Sequence, residues 1–201
     1  MTLDELVFLP LGTPGIDIKD FDCGRSDINE FFHHDAFAYQ AELFGKTYCF
    51  CTLTAPHQVV AAFTVANASI FTRHLPNARR RKVGYEVHGS KGLVNYPAVL
   101  LGRLGVDCHF QHLHLGPQII DFVARWFSSD DNKSGCRFLI VDAYNEPGLI
   151  QFYERNNLIL FFSTEEQERE YRSLPLDDSE PLATRLMFRD LILLRRSSIR
   201  G

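Results

Sequence analysis

The sequence predicts a mixed α/β domain, a sheet flanked by helices, and three stretches predict it. Residues 100–120 (LLGRLGVDCHFQHLHLGPQII) read as an apolar strand, a short loop ending in Gly116 and an apolar helix. Residues 141–158 (VDAYNEPGLIQFYERNNL) repeat the order strand, turn, helix. Residues 47–54 and 59–70 are rich in β-branched, aromatic and small apolar side chains, and the turn formers of APHQ separate them. That pattern is an antiparallel hairpin.

The remaining elements follow along the chain. Residues 6–11 form a first strand, closed by Gly12, Pro14 and Gly15. Ser26 or Asp27 is placed to cap a helix over 28–44. Ile28, Phe31, Phe32, Ala36, Tyr39 and Leu43 give it a stripe of period 3.6, and Gly45 is its expected stop. Residues 72–96 are irregular and carry the one strong charge run, Arg79-Arg80-Arg81-Lys82. Pro97 opens a strand over 98–106, and a helix covers 117–127. A buried strand is expected at 138–143 and a helix at 148–156, which Asn157 ends. A strand at 158–162 precedes an acidic and basic surface run at 163–181. A last strand spans 184–194. Residues 1–194 thus read as one domain and 195–201 as a frayed basic tail.

Composition narrows the class. At 201 residues with 45% hydrophobic side chains the chain can bury an ordinary core, and seventeen Phe make it a core of rings. A formal net charge of −4 excludes a polyanion binder as a whole, leaving at most a local patch such as residues 79–82. Cys23, Cys49, Cys51, Cys108 and Cys136 are odd in number and contain no CxxC pair, which reads as reduced thiols in a cytoplasmic protein. No run approaches the roughly 18 apolar residues of a membrane span, and no signal peptide is evident.

The 100–120 stretch has chemical meaning. A loop running into a helix start presents unpaired N–H groups and the positive helix end, which suit a pyrophosphate. The loop Gln111-His112-Leu113-His114-Leu115-Gly116 fits the pattern Q/R-x-x-G-x-G/A at its first and last positions, with His114 in place of the middle glycine. His tolerates a left-handed conformation better than most residues. Pro117 suits a first helical position but removes one N–H donor. LLGRLGVD resembles a strand of pattern LGRLAVD, FYERNNL resembles FYERxGF, and FDCGRSDINEFF resembles F-x-C-G…LN-x-F-L. On these three blocks the chain resembles the GNAT (Gcn5-related) acetyltransferases, nearest the subgroup that contains aminoacyl-tRNA-acetylating toxins.

The resemblance implies a strongly bent, mostly antiparallel sheet whose fourth and fifth strands are parallel and splayed, with acetyl-CoA between them. It assigns Leu104, Gly105 and Val106 to the pantetheine arm and the loop from Gln111 through Gly116 to the pyrophosphate, with the amides of Leu113 to Gly116 as donors. The Val106 N–H is the implied oxyanion donor, and Tyr153 the implied acid toward the leaving sulfur. Asn145 is expected to bond the cofactor arm or to cap the following helix. Asp107 and Glu154 are candidate bases, although each reads first as a solvated carboxylate. His109, His112 and His114 lie where pyrophosphate belongs and are not read as a metal site; Cys108 has no His–Asp pattern around it and is not read as a nucleophile.

The implied activity is acetyl transfer from acetyl-CoA to a small-molecule or macromolecular amine by direct attack in a ternary complex. The alternatives are a toxin-like enzyme acting on aminoacyl-tRNA, for which Arg79–Lys82, Arg103 and Arg155 are candidate contacts, and a non-catalytic CoA-binding module. A tRNA substrate is not favoured, because the chain is longer and more acidic than the tRNA-modifying toxins it resembles. The resemblance leaves room for a homodimer.

Overall fold

The structure, a computed structural model, describes residues 1–54, 57–72, 75, 94–176 and 180–199. The charge run at 79–82, and most of the irregular stretch around it, lie outside the described residues. The chain divides into two compact units, Met1–Asn67 with Leu100–Trp126, and Ala68–Val99 with Phe127–Gly201.

In the first unit, strands β1 (Val7–Pro10), β3 (Lys46–Cys51), β4 (His57–Phe71) and β5 (Asn95–Val106) are neighbours in that order, with a two-residue strand β2 (Ile16–Asp17) parallel to β4. β4 and β5 run on into the second unit. β3 and β4 form the expected antiparallel hairpin, with Cys49 opposite Ala62. Its register slips where Phe50 faces Ala61 but Cys51 faces Val59, so Val60 bulges out. The expected ring core is present. Phe8 lies 5.2 Å from Tyr48, 5.1 Å from Phe50 and 4.8 Å from Phe122, centroid to centroid. Phe122 belongs to α3 (Leu115–Ser128), whose Leu115, Ile119, Ile120, Val123 and Ala124 are fully buried.

The first helical segment departs from its expected form. It is α1 (Ser26–Glu30), a π turn (Phe31–Asp35) and α2 (Ala36–Ala41). Arg25, not Ser26 or Asp27, is the N-cap, and no side chain caps it. The helix ends before Gly45, and Leu43 takes the left-handed conformation at φ 62°. Gly45 serves packing instead. A Cβ there would come within 2.7 Å of the Tyr39 ring and 2.9 Å of the Val65 carbonyl oxygen.

In the second unit β5 neighbours β6 (Phe138–Tyr144), followed by β8 (Thr184–Asp190) and β7 (Ile159–Leu160). β5 and β6, the fourth and fifth strands expected from sequence, are parallel. α4 (Pro147–Arg155) follows β6, and Asn157 ends it at φ 65°.

Three sequence expectations fail in this unit. The run at 163–181 is not plain surface. Thr164 caps α5 (Glu165–Arg172) through a bond from the Gln167 N–H, and Glu168 and Arg169 are buried. Glu168 Oε2 accepts from Arg185 Nε at 2.7 Å, and its Oε1 accepts from the Leu186 N–H at 2.6 Å and Arg172 Nη2 at 2.7 Å. The last strand stops at Asp190, and the described part of the basic tail is helical, α6 (Ile192–Ile199). Among the described residues no helix is long and apolar enough to cross a membrane.

Candidate functional site

The first unit holds the strand–loop–helix stretch. β5 ends where the Asp107 N–H donates to the carbonyl of the bulged Val60 at 2.9 Å. In an extended strand the N–H and C=O of one residue project to the same edge, and those of the next residue to the opposite edge. With Asp107 facing β4, the polar groups of Val106 face the edge away from β4. The side chain of Leu104 is half-buried. Gly105 is there for packing, since a Cβ would meet Cys23 Cβ at 2.9 Å and the Phe21 ring at 3.1 Å.

Asp107 is not a solvated carboxylate. It is 3% exposed, and its Oδ1 accepts from the His109 N–H at 3.0 Å and from His109 Nδ1 at 2.8 Å. Its Oδ2 accepts from the Asp22 N–H at 3.1 Å. Asp22 in turn takes the Gly24 N–H at 2.7 Å and Asn29 Nδ2 at 2.6 Å. The first of these bonds, then the second, holds its carboxyl below the ordinary aspartate range. Asn29 Oδ1 accepts from the Cys23 N–H at 3.0 Å, and Gly24 turns the chain at φ 78°. The FDCG…N block is therefore a closed turn, and the Cys108 N–H bonds it to β5 through the Asp22 carbonyl at 2.7 Å. Partial desolvation, followed by the Asp22 and Asp107 charges, pushes the Cys108 thiol up, which disfavours a thiolate.

Beyond Asp107 the chain makes a tight helical turn over Gln111–Leu113. The Leu113 N–H is taken by the Phe110 carbonyl at 3.0 Å, so Leu113 is not a free amide donor as expected. His114 then adopts φ 54°, ψ 39°, the left-handed conformation that a glycine would supply at that position. α3 starts at Leu115, so Pro117 is its third residue and not its first. It still lies in the first turn, where its missing N–H breaks no helical bond. Leu115 and Gly116 open α3, where the first amides have no helical acceptor, and among the described residues the His114 amide bonds no backbone carbonyl outside the helices. The side chains of His112 and His114 are exposed. The Gln111 carboxamide turns back, with Nε2 2.9 Å from the Cys23 carbonyl and 3.0 Å from that of Val106. The sequence reads Asp107 first as a solvated carboxylate and gives Asn29 no part beyond the FDCGRSDINEFF block; neither signals this network.

The second unit holds Asn145, Tyr153 and Glu154. Asn145 caps nothing. Glu146 is the N-cap of α4, and Asn145 Nδ2 donates to Glu165 Oε1 at 2.8 Å. The Leu182 N–H and then Asn145 hold the Glu165 carboxyl below its ordinary value. Tyr153 is half-buried on α4 with its ring 5.2 Å from that of Phe152, and Glu154 is exposed. Among the described residues no group of three or more His, Cys, Asp or Glu is placed to hold a metal ion.

No family model matches the chain. Solved structures do. AtaTR bound with AcCoA superposes with a TM-score of 0.71 at 21% identity, over 97% of this chain and 99% of that one. AtaT complexed with acetyl-methionyl-tRNAfMet gives 0.70 at 19%, over 96% and 99%. A tyrosine-to-phenylalanine mutant of KacT gives 0.70 at 19%, over 96% and 99%. The strand–loop–helix geometry and these likenesses over nearly whole chains give the protein the GNAT fold, shared with AtaT and KacT.

Proposed function

We propose that the protein is an acetyl-CoA-dependent N-acetyltransferase. The observation that carries this is the left-handed His114 ahead of α3, which leaves a row of amides open at a helix start. Such a row suits a pyrophosphate. The GNAT fold, seen in an AtaTR complex with AcCoA, supports the same reading.

Leu104, Gly105 and Val106 would pair with the pantetheine arm as an added strand would. His114, Leu115 and Gly116 would hold the pyrophosphate through their amides, with Gln111, His112 and Leu113 shaping the loop and Asn145 beside the arm. The Val106 N–H would polarise the thioester carbonyl. The acceptor amine, free of its proton, would attack that carbon; as the C–N bond forms and the C–S bond breaks, the Tyr153 hydroxyl would give its proton to the departing sulfur and the acylated nitrogen would release its extra proton to solvent, from which the phenolate is reprotonated. A phenol O–H is a fitting proton donor to a thiolate.

AtaT has been solved with acetyl-methionyl-tRNAfMet, and its Tyr-to-Phe mutant is described as a toxin. The α-amine of an aminoacyl ester is a low-pKa amine that needs no protein base, which fits a site whose Asp107 is fully engaged. The test is transfer of labelled acetyl groups to aminoacyl-tRNA and to small amines, with Tyr153→Phe as control. Loss of about 10²-fold in turnover with unchanged cofactor binding is the expected effect of removing an acid. Growth arrest on expression, relieved by the same change, selects the toxin reading; tight CoA binding with no turnover on any amine selects a non-catalytic module.

A further inference from the structure

We infer that His109 is the catalytic base of the transfer, taking a proton from the incoming ammonium through Nε2, with Asp107 as its positioning residue. The inference rests on the acetyltransferase reading above. Asp107 is 3% exposed, and its Oδ1 accepts from the His109 N–H at 3.0 Å and from His109 Nδ1 at 2.8 Å. A carboxylate only accepts, so Nδ1 carries the ring proton and the neutral ring keeps its lone pair on Nε2. Among the described residues Nε2 makes no hydrogen bond, and the imidazole is 81% exposed. A base oriented by a buried carboxylate, with its second nitrogen open to what arrives from solvent, is equipped for proton transfer. Asp107 itself is not that base, since its Oδ2 is taken by the Asp22 N–H at 3.1 Å.

The same corner carries the acyl-carbonyl donor of the proposed reaction. Val106 directly precedes Asp107, and the chain from Val106 to His109 spans at most about 11 Å. The FDCG turn borders both groups. Gln111 Nε2 joins the Cys23 carbonyl at 2.9 Å to the Val106 carbonyl at 3.0 Å, and the neighbouring Asp22 N–H holds the Asp107 carboxylate. An amine arriving at the Val106 edge meets His109 Nε2 directly or through one water. The ammonium gives one proton to Nε2, and the freed nitrogen attacks the thioester carbon. The imidazolium faces the Asp107 carboxylate until its proton passes to solvent. The other charge beside the ring is that of Asp22, which His33 faces from the π turn, where it bonds the Phe21 carbonyl at 2.8 Å.

The test compares wild type with His109→Asn, whose side-chain N–H can still meet Asp107 but which is no base. The acceptors are the amines that the wild type acetylates in the transfer assay above. kcat/KM is read from neutral pH upward, with calorimetry of acetyl-CoA and thermal unfolding alongside. At neutral pH His109→Asn is expected to lose about 10²-fold, while acetyl-CoA affinity stays within about threefold. The loss closes as the pH passes the acceptor's own pKa, about 10 for an alkylamine and about 8 for an α-amine, because a free amine needs no base. In His109→Ala, imidazole added to the buffer restores part of the lost rate. If His109→Asn does not fold, His109→Gln replaces it. A loss that stays constant with pH, or no loss, overturns the inference. So does weakened acetyl-CoA binding with kcat at saturating cofactor intact, which makes His109 a phosphate contact. A wild type that acetylates no amine overturns the acetyltransferase reading itself and is seen before any variant is made.

Discussion

Asp107 and His109 form a buried–exposed pair: a carboxylate with 4% of its side chain exposed accepts from the Nδ1 of an imidazole that is 81% exposed, at 2.8 Å. The pair fixes the corner where β5 leaves the sheet. Removing the carboxylate strands the N–H groups of Asp22 and His109. Both residues reach solvent, so each lost bond costs about 0.5–1.5 kcal/mol. Asp107→Ala is therefore expected to lower unfolding free energy in urea by about 1–3 kcal/mol, and Asp107→Asn by less. A change under about 0.5 kcal/mol, the range of surface substitutions, would place Asp107 outside the network.

His114 carries a conformation that glycine adopts without strain. His114→Gly is expected to keep acetyl-CoA affinity and leave stability within about 1 kcal/mol. His114→Val puts a β-branched residue at positive φ and is expected to cost about 1–2 kcal/mol and to weaken acetyl-CoA binding. Unfolding curves and titrations of the two variants check both statements. Equal behaviour of Gly and Val would show that the loop does not need this backbone geometry.

Glu168 answers two guanidinium groups and a backbone N–H while fully buried. Glu168→Ala takes from Arg185, whose side chain is 10% exposed, its 2.7 Å carboxylate partner and leaves it Glu165 Oε1 at 4.0 Å. Breaking a buried pair from one side costs about 3–5 kcal/mol. A soluble, folded variant with unchanged midpoint in denaturant would contradict that account of α5.

The stability of the protein is expected to fall in acid through Asp22 and Glu165. Both carboxyls are held below their ordinary values in the fold, Asp22 chiefly by the Gly24 N–H and Glu165 chiefly by the Leu182 N–H. A depressed folded pKa stabilises above the unfolded value, near about 4, and that contribution is lost as pH falls through the folded one. Wild type and Glu165→Gln are compared in urea from neutral to acid pH. Their difference in stability is expected to shrink below about pH 4; a difference constant with pH would mean that the charge of Glu165 plays no part.

Much of this was legible in the sequence. The hairpin and α3 follow from apolar runs and their punctuation, and the parallel strand pair from the resemblance to the GNAT enzymes. His114 and Asn157 stand where the GNAT patterns they resemble have glycine, and both are left-handed. What was not legible depends on contacts between distant residues. Glu168 and Arg169 sit in a charged run that reads as solvent-facing, yet Arg185 and the backbone of β8 give Glu168 its partners. Leu43 ends its helix in a conformation unfavourable to leucine, while Gly45, the expected stop, is required by the Tyr39 ring. Gln111 matched a cofactor pattern, but its carboxamide bonds Cys23, far away in sequence.

The central claim is that the amides of His114, Leu115 and Gly116 receive the pyrophosphate of acetyl-CoA. Calorimetry of acetyl-CoA against the wild type and Gly116→Glu tests it most directly. A carboxylate in the first turn of a helix does not harm the helix, so the variant is expected to fold. It would, however, meet the phosphates at close range with like charge. The account predicts micromolar binding to the wild type and a loss of at least about tenfold, or about 1.4 kcal/mol, in the variant. Equal binding by both proteins, or none by the wild type, would contradict it.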